Sequence, residues 1–275
     1  MAAKISILMG IYNCASTLDE AIDSILAQTY ENWELILCDD GSSDNTYAVA
    51  EKYQKIYPEK IVLIKNPRNM GLNYTLNHCL ENATGEYIAR MDGDDISLPQ
   101  RLEIELAALQ AEPELAVVSC AMSYFDENGE YTRAVALPEY PAPEALVRGT
   151  IHCHAPCLMR AEAIRGVGGY SVDSKLLRVE DWHLWLKIYA SGGRGRNLPQ
   201  VLYKMRDDRN AAGRRKFKFR RNEAYVSRLA VRMLGLPKWK YVFSLRSILL
   251  GLLPQRVYRY LHRKKMELNN EVGGS

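Results

Sequence analysis

Residues 85–95 read Gly85-Glu-Tyr-Ile-Ala-Arg-Met-Asp-Gly-Asp-Asp95. A short apolar run, Tyr87 to Met91, ends directly on three carboxylates in four positions. A run this short, bounded by glycine and an acidic turn, predicts a buried strand. The pattern repeats upstream. Trp33 to Cys38 predicts a strand that ends on Asp39-Asp40-Gly41-Ser42, and Ile5 to Met9, Ile61 to Ile64 and Ala116 to Ala121 predict three more. Helix signals fill the gaps. Leu18, Ala21, Ile22, Ile25 and Leu26 recur at helical spacing behind Thr17-Leu-Asp-Glu20, which reads as a capping box. Ala48, Val49 and Tyr53 follow a cap at Ser43 or Asp44. Gly71 to Ala83 reads as a helix, and Leu102, Leu106 and Leu109 follow Pro99, a residue suited to a first turn. Strand–helix alternation with short connections predicts an α/β fold, a mainly parallel sheet flanked by helices. Such sheets bind ligands beyond the carboxyl ends of their strands, where residues 39–40 and 92–95 fall.

Past residue 121 the pattern changes. Asp126-Glu-Asn-Gly129 predicts a hairpin turn. A strand to Met159 and a turn at Gly166 to Tyr170 follow. Glu180-Asp181 opens a helix whose buried face carries Trp182, Trp185, Leu186 and Tyr189. Pro199 to Met205 reads as a last strand, 206–222 as a basic loop and 223–265 as basic amphipathic helices. The expected organisation is a catalytic domain over 1–222, a helical segment over 223–265 and a disordered tail over 266–275.

Composition narrows the function. Hydrophobic residues are 47% of 275 and charged residues 25%, an ordinary balance for a globular enzyme. The net charge of +3 hides an asymmetry: residues 204–265 carry 19 of the 36 Lys and Arg but 3 of the 33 Asp and Glu. No apolar stretch reaches the length a spanning helix needs, and the N-terminus lacks a signal-peptide form. The expected location is cytoplasmic, peripheral on the inner face of the cell membrane. Six cysteines form no C-x-x-C pair and read as reduced, mostly buried thiols. Neither a G-x-G-x-x-G after the first strand nor a P-loop is present, and no nucleic-acid reader motif is recognisable.

Asp92, Asp94 and Asp95 crowd like charges that a divalent cation would relieve. Hard ions such as Mn2+ or Mg2+ take carboxylate oxygens and substrate phosphates together. Taken alone, the same turn also reads as a solvated acidic loop with Asp95 as a helix cap. Asp39 and Asp40 read either as hydrogen-bond acceptors for a base or ribose, or as a turn. Asp181 beside a helix N-terminus reads either as a cap or as a general base. His154, in His152-Cys-His154-Ala-Pro156, reads as structural or as a metal or phosphate ligand. Arg206, Arg209, Arg214, Arg215, Lys216 and Lys218 suit phosphate recognition or a solvated segment.

Taken together these pieces resemble the family 2 glycosyltransferases of GT-A fold, over residues 4 to 206. The carrying segments are Ile5-Ser-Ile-Leu-Met-Gly-Ile-Tyr-Asn13, Ser24-Ile-Leu-Ala-Gln-Thr29, Cys38-Asp-Asp-Gly-Ser-Ser-Asp44, Asn69-Met-Gly-Leu72, Gly85 to Asp95, and Glu180-Asp-Trp-His-Leu-Trp185. Gly85 to Asp95, continued through Pro99 and Arg101, most resembles enzymes that build bacterial capsule, exopolysaccharide and O-antigen units. The resemblance implies roles. Ile11, Tyr12 and Asn13 would line the nucleoside pocket, with Asp40 and Asp39 on the base. Asp92 would sit near ribose and metal, Asp94 would hold Mn2+ or Mg2+ on the diphosphate, and Asp181 would be the base of an inverting displacement. Arg206 and the loop to 221 would close over the diphosphate, and His154 is carried as a further metal candidate. The implied partners are a nucleotide-sugar donor, UDP-linked by default, a polyprenyl-diphosphate-linked glycan acceptor, and a membrane surface through Tyr241 to Leu253 and the basic residues behind it. Two rivals remain. A sugar-phosphate nucleotidyltransferase would need a Gly-rich loop where Gly10-Ile-Tyr-Asn stands. A non-catalytic nucleotide-sugar-binding scaffold or sensor would have no need of Asp94 and Asp181.

Overall fold

The computed structural model describes residues 2–133, 137–207 and 217–252. Nine strands form one sheet: β1 (Ile5–Ile11), β2 (Trp33–Asp39), β3 (Ile61–Lys65), β4 (Tyr87–Arg90), β5 (Ile96–Ser97), β6 (Leu115–Asp126), β7 (Gly129–Arg133), β8 (Leu158–Arg160) and β9 (Arg194–Arg206). Their order is β3-β2-β1-β4-β8-β6-β9-β5, with β7 paired to β6. β3, β2, β1 and β4 are mutually parallel, and β9 runs parallel to β6. β8, β5 and β7 run antiparallel to their neighbours, so the sheet is mixed but mainly parallel, as expected.

Alternation along the buried strands sends side chains to both faces. Ile5, Ile7, Met9 and Ile11 of β1 join one cluster, under helices α1 (Leu18–Leu26), α2 (Thr46–Ile56) and α4 (Arg101–Ala111). Leu8 joins the other, under α3 (Leu72–Asn82), α5 (Ala161–Gly166), α6 (Glu180–Ala190) and α7 (Phe217–Met233). The expected face of α6 is the buried one: Trp182, Trp185, Leu186 and Tyr189 all enter the second cluster.

Local chemistry departs from expectation in three places and, at Asp44, selects one of two expected residues. Thr17 forms no capping box; its hydroxyl donates to the carbonyls of Cys14 and Gly93, and Glu20 is drawn to Arg206. Asp44, not Ser43, meets the start of α2, accepting from the Thr46 amide at 3.0 Å and hydroxyl at 2.6 Å. α4 starts at Arg101, after Pro99. The last strand begins at Arg194 and runs through Pro199. Pairing jumps from Cys120–Leu198 to Ala121–Val201, so Pro199 and Gln200 bulge out, exposed. Proline has no amide proton to place in a ladder, and a bulge is where a strand accommodates it.

The stretch of basic sequence from 206 is not all loop, because α7 begins at Phe217 and runs through the boundary drawn at 222. Val226, Ala230 and Val231 bury against the main body. Helix α8 (Phe243–Leu252) packs on α7. The basic residues beyond 252 and the expected tail over 266–275 lie outside the described residues.

Candidate active site

The acidic turn sits where β4 ends. Gly85, at the head of the same stretch, lets β4 enter beside β1. A Cβ there would lie 2.7 Å from the Lys4 carbonyl oxygen, and its amide donates to the Ser6 hydroxyl at 2.7 Å. Asp92, Asp94 and Asp95 bring carboxylate oxygens within 4.8 Å of one another. Distant elements hold the turn. Arg90 pairs with Asp92. The Tyr203 hydroxyl donates to Asp95 at 2.8 Å and accepts from the Asp92 amide. The Arg206 amide donates to Asp95 and its Nε donates to the Asp94 carbonyl at 2.9 Å. Gly93 is packed against Cys14 and Ile11, where a Cβ would meet atoms at 3.0 and 3.1 Å.

Desolvation, then the neighbouring charge of Asp92, raises the pKa of Asp94. Asp95 is raised more strongly, by burial first and then by Asp92 and Asp94. Three crowded carboxylates, two of them with raised pKa, fit a hard divalent cation, which would supply positive charge among them.

Arg90 is only 5% exposed. Its charge acts on Asp92, Asp94 and Asp95, and on Asp181 and His154 as well. Asp181 stands in the first turn of α6. Burial raises its pKa; the Trp182 amide, the Thr150 hydroxyl and Arg90 pull the other way. Glu180 beside it is raised too, chiefly by burial. A carboxylate lifted in this way is a better proton acceptor when ionised. His154 lies outside the carboxylate group: its Nε2 meets the Tyr170 hydroxyl at 2.7 Å and its ring stands edge-on to Trp185. Burial, then Arg90, lowers its pKa far enough to keep it neutral.

Beyond β1 and β2 opens a cleft of about 370 Å³. Gly10, Ile11, Tyr12, Asp40, Asn69 and Gly71 line one side, and Leu177, Arg178, Glu180, Lys218 and Phe219 line another. Ile11 and Tyr12, two of the residues expected at a nucleoside pocket, both line this cleft. Asn13, expected with them, does not line the cleft: it takes a left-handed conformation (φ 50°) and its side-chain oxygen accepts from the Ser43 amide. Asp40 reaches the cleft, but its carboxylate also accepts from Asn66 Nδ2 and the Met70 and Gly71 amides at 2.8–2.9 Å. It thereby shapes the cleft wall. Asp39 is fully buried, accepts from the Ser42 amide and lies 3.8 Å from Lys65, and it does not line the cleft. Arg206 reaches Glu20 and the acidic turn and stacks on Phe125 at 4.4 Å. Arg209, Arg214, Arg215 and Lys216 lie outside the described residues.

A family model matches residues 6–166, spanning both acidic strand ends: that of Glycosyl transferase family 2. The chain belongs to this family. The transferase is 43% identical over 270 residues to EpsE of Bacillus subtilis (strain 168), covering 98% of this chain and 96% of EpsE. It is 28% identical over 214 residues to WfaP of Escherichia coli, a UDP-Glc:alpha-D-GlcNAc-diphosphoundecaprenol beta-1,3-glucosyltransferase, covering 78% and 81% of the two chains. Among solved structures it is similar to the mannosyltransferase PcManGT of Pyrobaculum calidifontis, crystallised with GDP-Man and Mn2+. That match has a TM-score of 0.65 at 20% identity and covers 96% of this chain and 80% of that one. The fold of the transferase is thus the GT-A fold.

Arg90 and Tyr203 went unassigned in the sequence. Arg90 left one signal, a charge in an otherwise apolar strand just before the carboxylates. Tyr203 left none, since its role depends on pairing between β9 and β5.

Proposed function

We propose that the transferase moves a sugar from a UDP-linked donor to a hydroxyl of a polyprenyl-diphosphate-linked glycan, with inversion, in the synthesis of a bacterial surface polysaccharide. The observation that carries this reading is the sharing of one buried cation, Arg90, by the metal-competent carboxylates and by Asp181, whose pKa burial raises. Asp181 accepts the proton of the acceptor hydroxyl. The hydroxyl oxygen attacks the anomeric carbon from the face opposite the nucleotide, and the bond to the diphosphate breaks in the same displacement. Ile11 and Tyr12 hold the nucleoside. Asp92 and Asp94 would hold Mn2+ or Mg2+, which would supply positive charge to the leaving diphosphate. The donor class is supported by the UDP-Glc in the name of WfaP and by the nucleotide and metal bound to PcManGT; the acceptor class is supported by the diphosphoundecaprenol named for WfaP.

The acceptor chemistry calls for a lipid surface. Trp239 (64% exposed), Val242, Leu245, Leu249 and Leu252 expose apolar side chains along 239–252, with Lys238, Lys240 and Arg246 among them. No helix among the described residues is long and apolar enough to cross a membrane. This suits a segment lying on the anionic inner face of the cell membrane.

The test is thermal unfolding with UDP, dTDP or GDP, each with and without Mn2+. A ligand that binds the folded state alone raises the midpoint. A metal-dependent rise with one nucleotide, abolished in Asp94→Ala, is expected. No rise at millimolar nucleotide with Mn2+ rejects the donor site.

A further inference from the structure

Two histidines stand in the stretch ahead of β8, and they are partnered differently. His152 is fully buried and engaged at both nitrogens, Nδ1 with Asn197 Oδ1 at 2.6 Å and Nε2 with the Tyr189 hydroxyl at 3.0 Å. His154 is half-buried and engaged at one: its Nε2 meets the Tyr170 hydroxyl at 2.7 Å. Among the described residues its Nδ1 has no hydrogen-bond partner, and it is not one of the atoms sealed from solvent. Tyr170 decides which nitrogen carries the proton. It is buried, burial keeps the phenol protonated by raising its pKa, and Nε2 is the acceptor for that proton among the described residues. The His154 ring is neutral. A neutral imidazole that accepts at Nε2 carries its proton on Nδ1. The free end of His154 is therefore a donor.

That donor stands close to Asp181. The Cys157 carbonyl accepts from the Arg90 amide at 3.0 Å, which lays residues 154–157 along the end of β4, just before the acidic turn. The His154 ring stands edge-on to Trp185, and Asp181 lies one helical turn before Trp185 on the same face of α6. The charge of Asp181 is felt at Cys153, the neighbour of His154 in sequence, and at Tyr170, its hydrogen-bond partner. Neither Asp181 nor His154 lines the cleft of Ile11 and Tyr12, whereas Glu180 does. Arg90, whose charge reaches His154, can also only donate. Two donor-only groups match an oxygen that carries no proton better than a hydroxyl, whose own proton would need an acceptor.

We propose that His154, fixed as the Nδ1–H tautomer by Tyr170, donates to a proton-free oxygen of the acceptor sugar, beside the hydroxyl that Asp181 deprotonates. An acetamido carbonyl and a sugar carboxylate both supply such an oxygen. The identity of the ligand rests on the acceptor reading given above; the tautomer does not.

The tautomer is read by NMR from nitrogen–proton correlations of the full chain labelled at histidine, the His154 signals being those lost in His154→Gln. An Nδ1–H pattern is expected, moving toward Nε2–H in Tyr170→Phe. An Nε2–H pattern in the parent overturns the proposal. Short-chain polyprenyl-diphosphate N-acetylglucosamine, glucuronate and glucose are then titrated calorimetrically in the presence of UDP and Mn2+. The parent is expected to bind one of the first two about tenfold tighter than the glucose compound, and the one it prefers names the oxygen. His154→Gln keeps a partner for Tyr170 and loses the donor, so the preference is expected to vanish. His154→Asn keeps a donor near the place of Nδ1 and gives up the Tyr170 bond, so most of the preference is expected to remain. UDP affinity is expected to stay within about twofold of the parent in both variants. Equal affinity of the parent for the three compounds overturns the proposal. So does a preference that survives in His154→Gln and fails in His154→Asn, which makes the histidine structural. A parent that binds UDP but none of the three compounds overturns it as well, whereas one that prefers an acetamido or carboxylate sugar but binds no UDP keeps it and rejects the UDP-donor reading.

Discussion

Arg90 carries a charge into the end of a strand whose other residues, Tyr87, Ile88 and Ala89, are buried. A buried charge is tolerated when paired, and Asp92 is its pair. The pairing orients a carboxylate of the acidic turn, while the same charge lowers the pKa of Asp181 against the rise caused by burial. Replacing Arg90 by Gln removes that lowering. Asp181 acts when ionised, so the acid limb of the pH–kcat profile is expected to move to higher pH, with kcat at neutral pH reduced about tenfold or more. An acid limb that stays in place shows that Arg90 does not act on the base. Asp181→Asn is expected to cut kcat by about 10²–10⁴-fold, the range for a lost general base, with UDP affinity within twofold of the parent; an unchanged kcat returns the scaffold reading. At this scale Asp92, Asp94 and Asp181 were legible as candidates, because carboxylates at strand and helix ends are visible in one dimension. Asp95, read there either with the carboxylate cluster or as a helix cap, has its partners Tyr203 and Arg206 over 100 positions away.

Helix α4 buries Arg101 and Glu105 completely, one turn apart. Arg101 donates to the Arg90 carbonyl at 3.1 Å, so α4 also steadies the end of β4. Burial lifts the Glu105 carboxyl to a pKa of about 8, against a partial lowering by Arg101. Its folded pKa exceeds its unfolded one, so the folded state binds more protons between about pH 4.5 and 8. Stability from this group is present at low pH and lost as pH rises through that window. Glu105→Gln is expected to flatten the corresponding fall in melting temperature between pH 5 and 8. A fall of unchanged size assigns the dependence to other groups. The strand and helix periods of the first half were readable because each element buries a face of its own. β9 was read short, because Pro199 resembles a boundary and only pairing with β6 reveals the bulge. β5 was missed, being two residues long and defined by its partner β9.

Across the whole molecule the sheet joins the parallel strands β1 to β4 to a second half that reaches the acidic turn through β9. The apolar face of 239–252 lies on the helices that follow. Leu245→Glu with Leu249→Glu is expected to abolish co-flotation with vesicles containing anionic lipid while leaving nucleotide binding intact; retained flotation removes the membrane assignment. Order and sign of charge along the chain made the split between an acidic body and a basic end legible. The route of α7 back onto the body was not, since its apolar residues are interleaved with Arg220, Arg221, Arg228 and Arg232.

The contacts from Tyr203 and Arg206 to the acidic turn have a consequence for synthesis of the chain. Asp95 leaves the ribosome more than 100 residues before the side chains that fix it. At about 5–20 residues per second, the parallel strands of the first half have roughly 5–20 s to pair while the cation site is still without its frame. Completion of the acidic turn therefore comes later than pairing of β1 to β4, since a chain short of residue 206 lacks the groups that hold Asp94 and Asp95 in place.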